Sequence, residues 1–458
     1  MLNIDKLKAE GDLSISPKRR EWLEGLPQYI RSILDEDSKY FVHQSLSTPC
    51  LNVVRRAYGS YIEDYSGKKY LDFHGNTVHN VGFSNPKVIK AVKEQLEDLS
   101  FCPRRYTNVR AIELAKRLVE VSPIGAENSR VLFAPGGAEA IEMAYDLSVR
   151  STGKIKTVSW WDSFHGATMG AKSVGGEAIF RAKLPVVSGT EHVPPPYCYR
   201  CPYGHRDVES CNLVCAEMVN YVIDKNAGDV AAVIAEPIRG AHVVVPPKEY
   251  WKIVKEGCEE EGAALVFDEI LSGLGRTGKM FACEHYDVVP DIVAIGKSLG
   301  GGIMPIAGII AKKELAEKVE NWSIGHFTHE KNPVCAAAGI AVLDIIREER
   351  LVERADAMGR YAMKRMEEMK EEHRLIGDVR GVGLFLAIEL VRDREKRTKA
   401  SDEAEDVMYK CFREGLAFKT TGGNILSLMP PLTVSRDEMD KALDIIDGAI
   451  REVENKQK

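Results

Sequence analysis

A chain of 458 residues exceeds what one ordinary hydrophobic core holds, so two or more packed units are expected. At 44% hydrophobic and 28% charged, with a net charge of −6 and a pI near 6.1, it lacks the basic face that a nucleic acid or an anionic membrane would require. No apolar run reaches the roughly 18 residues of a membrane span, and the opening stretch MLNIDKLKAEGDLS has no apolar signal core. A cytoplasmic protein is expected.

The first 57 residues are polar and broken, with one amphipathic stretch, Arg20 to Leu34, of the kind that lies over another surface. From Tyr58 the run YGSYIEDYSGKKYLDF alternates apolar and polar residues around Ser66-Gly67 and predicts a hairpin. A helical pattern covers Asn85 to Leu99. Between about Val131 and Ala311, the short apolar runs VLFA, TVSW, AAVIAEPI, ALVFDEI, DIVAIGK and MPIAGIIA alternate with helical stretches. This predicts an α/β fold with a mostly parallel sheet covered on both faces. A helix from Cys335 to Glu348, a charge-rich helical region, and the runs GVGLFLAIELV and ILSL predict a second, smaller sheet. The expected units are a segment 1–57 packed on the small domain or a partner, a large domain 58–333, and a small C-terminal α+β domain 334–458.

Four local features carry chemistry. In Phe133-Ala134-Pro135-Gly136-Gly137-Ala138 a strand passes through a Gly-Gly turn into a helix, where close-lying backbone N–H groups form an anion site; the same turn is also ordinary punctuation. Asp268 closes the strand ALVFDEI, the end of a parallel strand where ligands bind. It could pair with a protonated heterocycle or simply cap a helix. Lys297 closes DIVAIGK before Gly300-Gly301-Gly302; poor solvation there would lower its pKa and free the amine for Schiff-base chemistry, whereas a strand-end lysine can equally reach solvent. Phe164, in Ser163-Phe164-His165-Gly166 just past TVSW, could stack on a flat cofactor or belong to the core.

Cys198, Cys201, Cys211 and Cys215 crowd one window, with only the first pair at clean zinc-knuckle spacing. They read as reduced structural cysteines or as a tetrahedral zinc site. The other six cysteines are scattered and pack as small hydrophobes.

Taken together, DEILSGLGRTGKMFACEHYDVVPDIVAIGKSLGGG (Asp268 to Gly302), SFHGATMGA, Ala235-Glu236-Pro237 and the Thr-x-x-x-Asn-Pro of Thr328 to Pro333 resemble the class III aminotransferases of pyridoxal-5′-phosphate (PLP) fold type I. The resemblance spans almost the whole chain. It implies that Lys297 holds PLP as a Schiff base and moves the proton, and that Asp268 keeps the pyridine nitrogen protonated. Phe164 would stack on the ring with His165 and Gly166 in support, and Gly136, Gly137 and Ala138 would present N–H groups to the phosphate. It also implies a homodimer in which Thr328 reaches the phosphate of the neighbouring subunit.

Two departures from the family pattern matter. The phosphate turn, usually Asn-Ser-Gly-Thr, reads Pro135-Gly136-Gly137-Ala138, which removes two hydroxyl donors of roughly 1 kcal/mol each. Family aminotransferases also carry an arginine three residues before the Pro-Pro of the C-terminal segment, where it clamps a carboxylate. Here that position is Ser427, and a serine does not replace a bidentate guanidinium. Glu236, which pairs with that arginine in the 4-aminobutyrate type, loses its partner. Arg104, Arg105 and Lys419 are the remaining candidate cations for the substrate. The segments FHGNTVH, CPRRYTN, FAPGG, HFTHEKNP and LAFKTTGGN are similar to those of class III lyases acting on small amino-phosphonates. The resemblance therefore leaves an ammonia-lyase, a transaminase and a racemase open.

Overall fold

The computed structural model describes residues 15–44, 47–187, 189–206 and 208–456; the opening stretch read for a signal peptide lies outside them. Instead of one amphipathic stretch, residues 20–34 belong to two helices, Pro17–Glu24 and Gln28–Tyr40. Gly25 ends the first. Pro27, which lacks an N–H and disfavours helix in the residue before it, separates the two. Trp22 of the first helix packs on Phe412, with ring centroids 4.6 Å apart.

Strands β1 (Val54–Tyr58), β2 (Tyr61–Asp64) and β3 (Lys69–Asp72) form a meander. The hairpin turns where the sequence alternation places it, with Tyr61 opposite Leu71. The predicted helix is Pro86–Asp98, capped by the Asn85 side chain, which accepts from the Lys87 N–H.

The central sheet contains β4 (Ser129–Ala134), β5 (Lys156–Trp160), β6 (Thr190–Val193), β7 (Val230–Ala235), β8 (Ala264–Asp268), β9 (Ile292–Ile295) and β10 (Ala307–Lys312). Their order is β4-β10-β9-β8-β7-β5-β6. Only β10 runs antiparallel to its neighbours. Every residue of β7, β8 and β9 is buried, which explains their unbroken apolar composition: helices cover both faces. The edge strand β6, Thr-Glu-His-Val, is half exposed and too polar to stand out in the sequence.

The C-terminal part holds β11 (Ile376–Val382), β12 (Phe385–Asp393), β13 (Thr398–Lys399), β14 (Leu416–Ala417), β15 (Lys419–Thr421) and β16 (Ile425–Leu428). β11, β12, β16 and β15 make an antiparallel sheet in that order, with β13 on the edge of β12. β14 instead pairs in parallel with β3. This ladder joins residues 69–72 to the C-terminal part, across the boundary drawn from sequence at 333.

Candidate active site

The carboxyl ends of the parallel strands converge on one region, as expected of an open α/β sheet. β4 runs through Pro135-Gly136 into the helix Gly137–Thr152, whose N-cap is Gly136. The first N–H groups of that helix have no intrahelical acceptor and face outward as anion donors. The loop after β5 packs on this turn. Gly166 lies at φ 135°, and a Cβ on it would stand 2.5 Å from the Cβ of Ala138. A Cβ on Gly137 would meet Ile270 at 3.0 Å. The two glycines thus let the loop carrying Phe164 and His165, the helix start and the β8 end close on one another. Phe164 is 41% exposed, its ring 4.8 Å from that of Phe180.

Asp268 ends β8 and is buried. Its Oδ2 lies 2.7 Å from Nδ1 of His165, and its Oδ1 accepts the Ile270 N–H at 3.1 Å. Burial works against the charged imidazolium, yet the hydrogen bond and charge of Asp268 hold His165 above its ordinary value. Lys297 follows β9 across Gly296 and itself adopts φ 43°, a backbone state uncommon outside glycine. Burial lowers the pKa of its ammonium, against the pull of Asp268 and Glu236.

Glu236 follows β7. Its Oε2 accepts the Gly240 N–H at 2.7 Å, while its buried Oε1 has no hydrogen-bond partner. Burial raises this carboxyl above its ordinary value. Glu177 and Arg239, which the sequence reading did not single out, act on it, and His242 is reached through Arg239. Glu177 is 1% exposed with neither oxygen bonded, and burial, reinforced by Glu236, lifts it to about 8. Arg239 is buried, and donates to the carbonyl oxygens of Ala241 and Trp161 at 3.1 and 3.0 Å. It also donates to Nδ1 of His242 at 2.8 Å. Burial and then the Arg239 charge keep His242 neutral. A Glu after Gly-Gly and an Arg in EPIRG were the only signals, and neither residue type in those contexts is distinctive.

Ser427 is 1% exposed and its Oγ lies 3.1 Å from Thr421 Oγ1. Thr421 Oγ1 accepts the His242 N–H at 3.2 Å, so a polar chain runs from Ser427 through Thr421 and His242 to Arg239. Lys419 is half buried, and burial lowers its ammonium to about 8. Of the other candidate cations, Arg104 is engaged: its Nε donates to Glu330 at 2.8 Å and its Nη1 meets His326. Arg105 is exposed, as is Thr328. In the Thr-x-x-x-Asn-Pro segment, Asn332 caps the helix Pro333–Glu348 by accepting from Val334 and Cys335. Cys198, Cys201, Cys211 and Cys215 line one small cavity with His205. Among the described residues, however, no three His, Cys, Asp or Glu side chains stand where they could hold a metal ion.

The chain matches the model of the aminotransferase class-III family over residues 42–450. It belongs to the class-III aminotransferases. It is 42% identical to the (R)-1-hydroxy-2-aminoethylphosphonate ammonia-lyase of Vibrio splendidus, over 99% of this chain and 97% of that protein. It is 39% identical to the leucine/methionine racemase of Thermococcus litoralis, over 92% and 96%. Among solved structures it resembles a Bacillus anthracis aminotransferase, with TM-score 0.85 and 32% identity over 92% of this chain and 98% of that one. It also resembles a PLP-bound amine transaminase from an uncultivated Pseudomonas species, with TM-score 0.83 and 29% identity over 87% and 94%.

This class-III chain is accordingly a PLP-dependent enzyme of fold type I. Its residues fit the cofactor: a helix start offering N–H groups to an anion, a buried carboxylate at a strand end, a desolvated lysine, and a partly exposed aromatic ring in the loop that packs on the helix start. No helix among the described residues is long and apolar enough to cross a membrane.

Proposed function

We propose that this enzyme is a cytoplasmic homodimeric ammonia-lyase that converts (R)-1-hydroxy-2-aminoethylphosphonate to phosphonoacetaldehyde and ammonia. The observation that carries this reading is Ser427. A transaminase must hold an amino donor and a keto-acid acceptor in turn, and the arginine that relatives use to clamp a carboxylate is here a buried hydroxyl tied to Thr421. An elimination handles one amine and needs no such exchange. The Vibrio splendidus relative bears the same activity in its name.

In this reading Lys297 holds PLP, and Gly136, Gly137 and Ala138 receive its phosphate at the helix start. Phe164 would stack on its ring, and Asp268, fixed by His165, would pair with its nitrogen. Bound there, PLP would supply an electron sink for the carbon beside the substrate nitrogen. Lys297 Nζ, already lowered by burial, takes the proton from that carbon. Lys419 and Arg105 hold the phosphonate. A dianion beside Lys419 raises its amine back toward the charged form.

The dimer places Thr328 and Arg105 at the neighbouring subunit's site. Both are exposed within one chain, and large apolar residues next to Arg105 are exposed as well: Tyr106 at 69%, Val109 at 76% and Ile112 at 42%. Exposed apolar side chains of this size beside Arg105 support coverage by a second copy.

The test is to incubate the holoenzyme with the hydroxy-aminophosphonate and no keto acid, and to measure ammonia and aldehyde together. Both should appear in equal amounts. Inversion of a chiral amino acid without ammonia release would favour the racemases instead.

A further inference from the structure

The charged groups facing Glu236 are His165 and Glu177 from the loop after β5, Asp268 from β8, Arg239 from its own turn, and Lys297 after β9. Those facing Glu177 are Glu236, Arg239 and Asp162. None of them donates a hydrogen bond to Glu236 Oε1 or to either oxygen of Glu177. The Arg239 guanidinium bonds to two carbonyls and an imidazole and to neither carboxyl. A buried carboxylate left without donors is costly, whereas a carboxylic acid in the same place is not. In relatives with an arginine at the 427 position, Glu236 has a counter-ion; here Ser427 bonds to Thr421.

We propose that Glu236 carries a proton on Oε1 and gives it to the departing hydroxyl of the substrate, and that Glu177 behind it replaces that proton. The proposal rests on the lyase reading and assigns the acid that this reading requires. The balance is closed. The C–H proton goes to Lys297 Nζ, the C–O bond breaks with its electron pair on oxygen, and the Glu236 proton makes that oxygen water. The proton held by Lys297 passes to the carbon that lost the hydroxyl, one water adds at the nitrogen-bearing carbon as ammonia leaves, and no oxidant or reductant enters. A small cavity lies beside Glu236, lined also by Ser163, Arg239 and Trp251.

The experiment compares two substrates in wild-type and Glu236→Gln holoenzyme: the hydroxy-aminophosphonate and its 1-chloro analogue, whose leaving chloride needs no proton. Glu236→Gln should slow ammonia release from the hydroxy substrate by about 100-fold or more, and from the chloro substrate far less. Equal losses with both would mean that Glu236 only shapes the site, and would overturn the proposal. Infrared spectra at neutral pH give a readout independent of turnover: a buried carboxylic-acid band should be present in the wild type and reduced in both Glu236→Gln and Glu177→Gln. Spectra unchanged by either substitution would show both groups ionised and end the proposal. Glu177→Gln should slow steady-state turnover more than the first turnover; equal slowing would remove Glu177 from the relay. Wild-type enzyme that releases no ammonia from either substrate would sink the lyase reading itself, and the proposal with it.

Discussion

Lys419 and Ser427 stand opposite each other across β15 and β16. Directly opposed residues of an antiparallel pair share a face, so the amine of Lys419 emerges beside the position where relatives carry the arginine. If it binds the phosphonate, Lys419→Ala should raise KM for the hydroxy-aminophosphonate by about 10-fold or more, the worth of one charge-assisted hydrogen bond. Steady-state kinetics against a neutral amine of similar size are the control. Equal effects on both amines would move the phosphonate site elsewhere.

Lys297→Ala should abolish turnover and the cofactor's Schiff-base absorbance while leaving the circular dichroism spectrum intact, because anchor and base are lost together. Asp268→Asn should retain PLP yet lose most of the rate. In the proposed role it would remove the charge that keeps the ring protonated, and it removes the anion bonded to His165. A near-normal rate in either variant would reassign that role.

Thr328→Ala should bind PLP more weakly, and mixing it with Lys297→Ala should restore activity. Each hybrid has one site with both lesions and one with neither, provided Thr328 serves the neighbouring subunit. Verified subunit exchange without recovery would place Thr328 in its own chain's site.

The pH dependence of stability follows from Glu177. Its folded-state pKa of about 8 lies above the ordinary carboxyl value because burial and the nearby Glu236 penalise the charge. Between those two values the folded state binds one more proton than the unfolded. Stability is therefore greatest below the ordinary value and falls as pH rises toward about 8, by roughly 1.4 kcal/mol per unit. Glu177→Gln should flatten this part of the melting-temperature profile. Parallel wild-type and variant profiles would show that the group is ionised throughout.

The central strands were legible because full burial on both faces leaves unbroken apolar runs, and the residues at their carboxyl ends could be named with them: Glu236, Asp268 and Lys297. The half-exposed β6 has too mixed a composition to announce itself. Pairing of β14 with β3 joins segments more than 300 residues apart, and strands of two and four residues carry no signal of their partner. The break between the first two helices lay in view at Gly25-Leu26-Pro27, but the amphipathic period on either side masked it. Glu177 and Arg239 were missed because their importance lies in what surrounds them. A carboxyl is unusual only when buried without donors, and this depends on how the loop after β5 packs on the turn after β7. For the same reason Arg104 and Arg105, equivalent on paper, separate in space: Glu330 and His326 engage the first, and the second faces outward.

The most direct test of the account is one incubation of the holoenzyme with the hydroxy-aminophosphonate and 2-oxoglutarate together, following ammonia and glutamate in the same sample. With Ser427 in place of the arginine, a desolvated carboxylate of the keto acid would lack its charge-assisted partner, at a cost of several kcal/mol. Ammonia should therefore form at the same rate with or without 2-oxoglutarate, and glutamate should be negligible. Saturable glutamate formation with no ammonia would contradict the account and make this protein a transaminase.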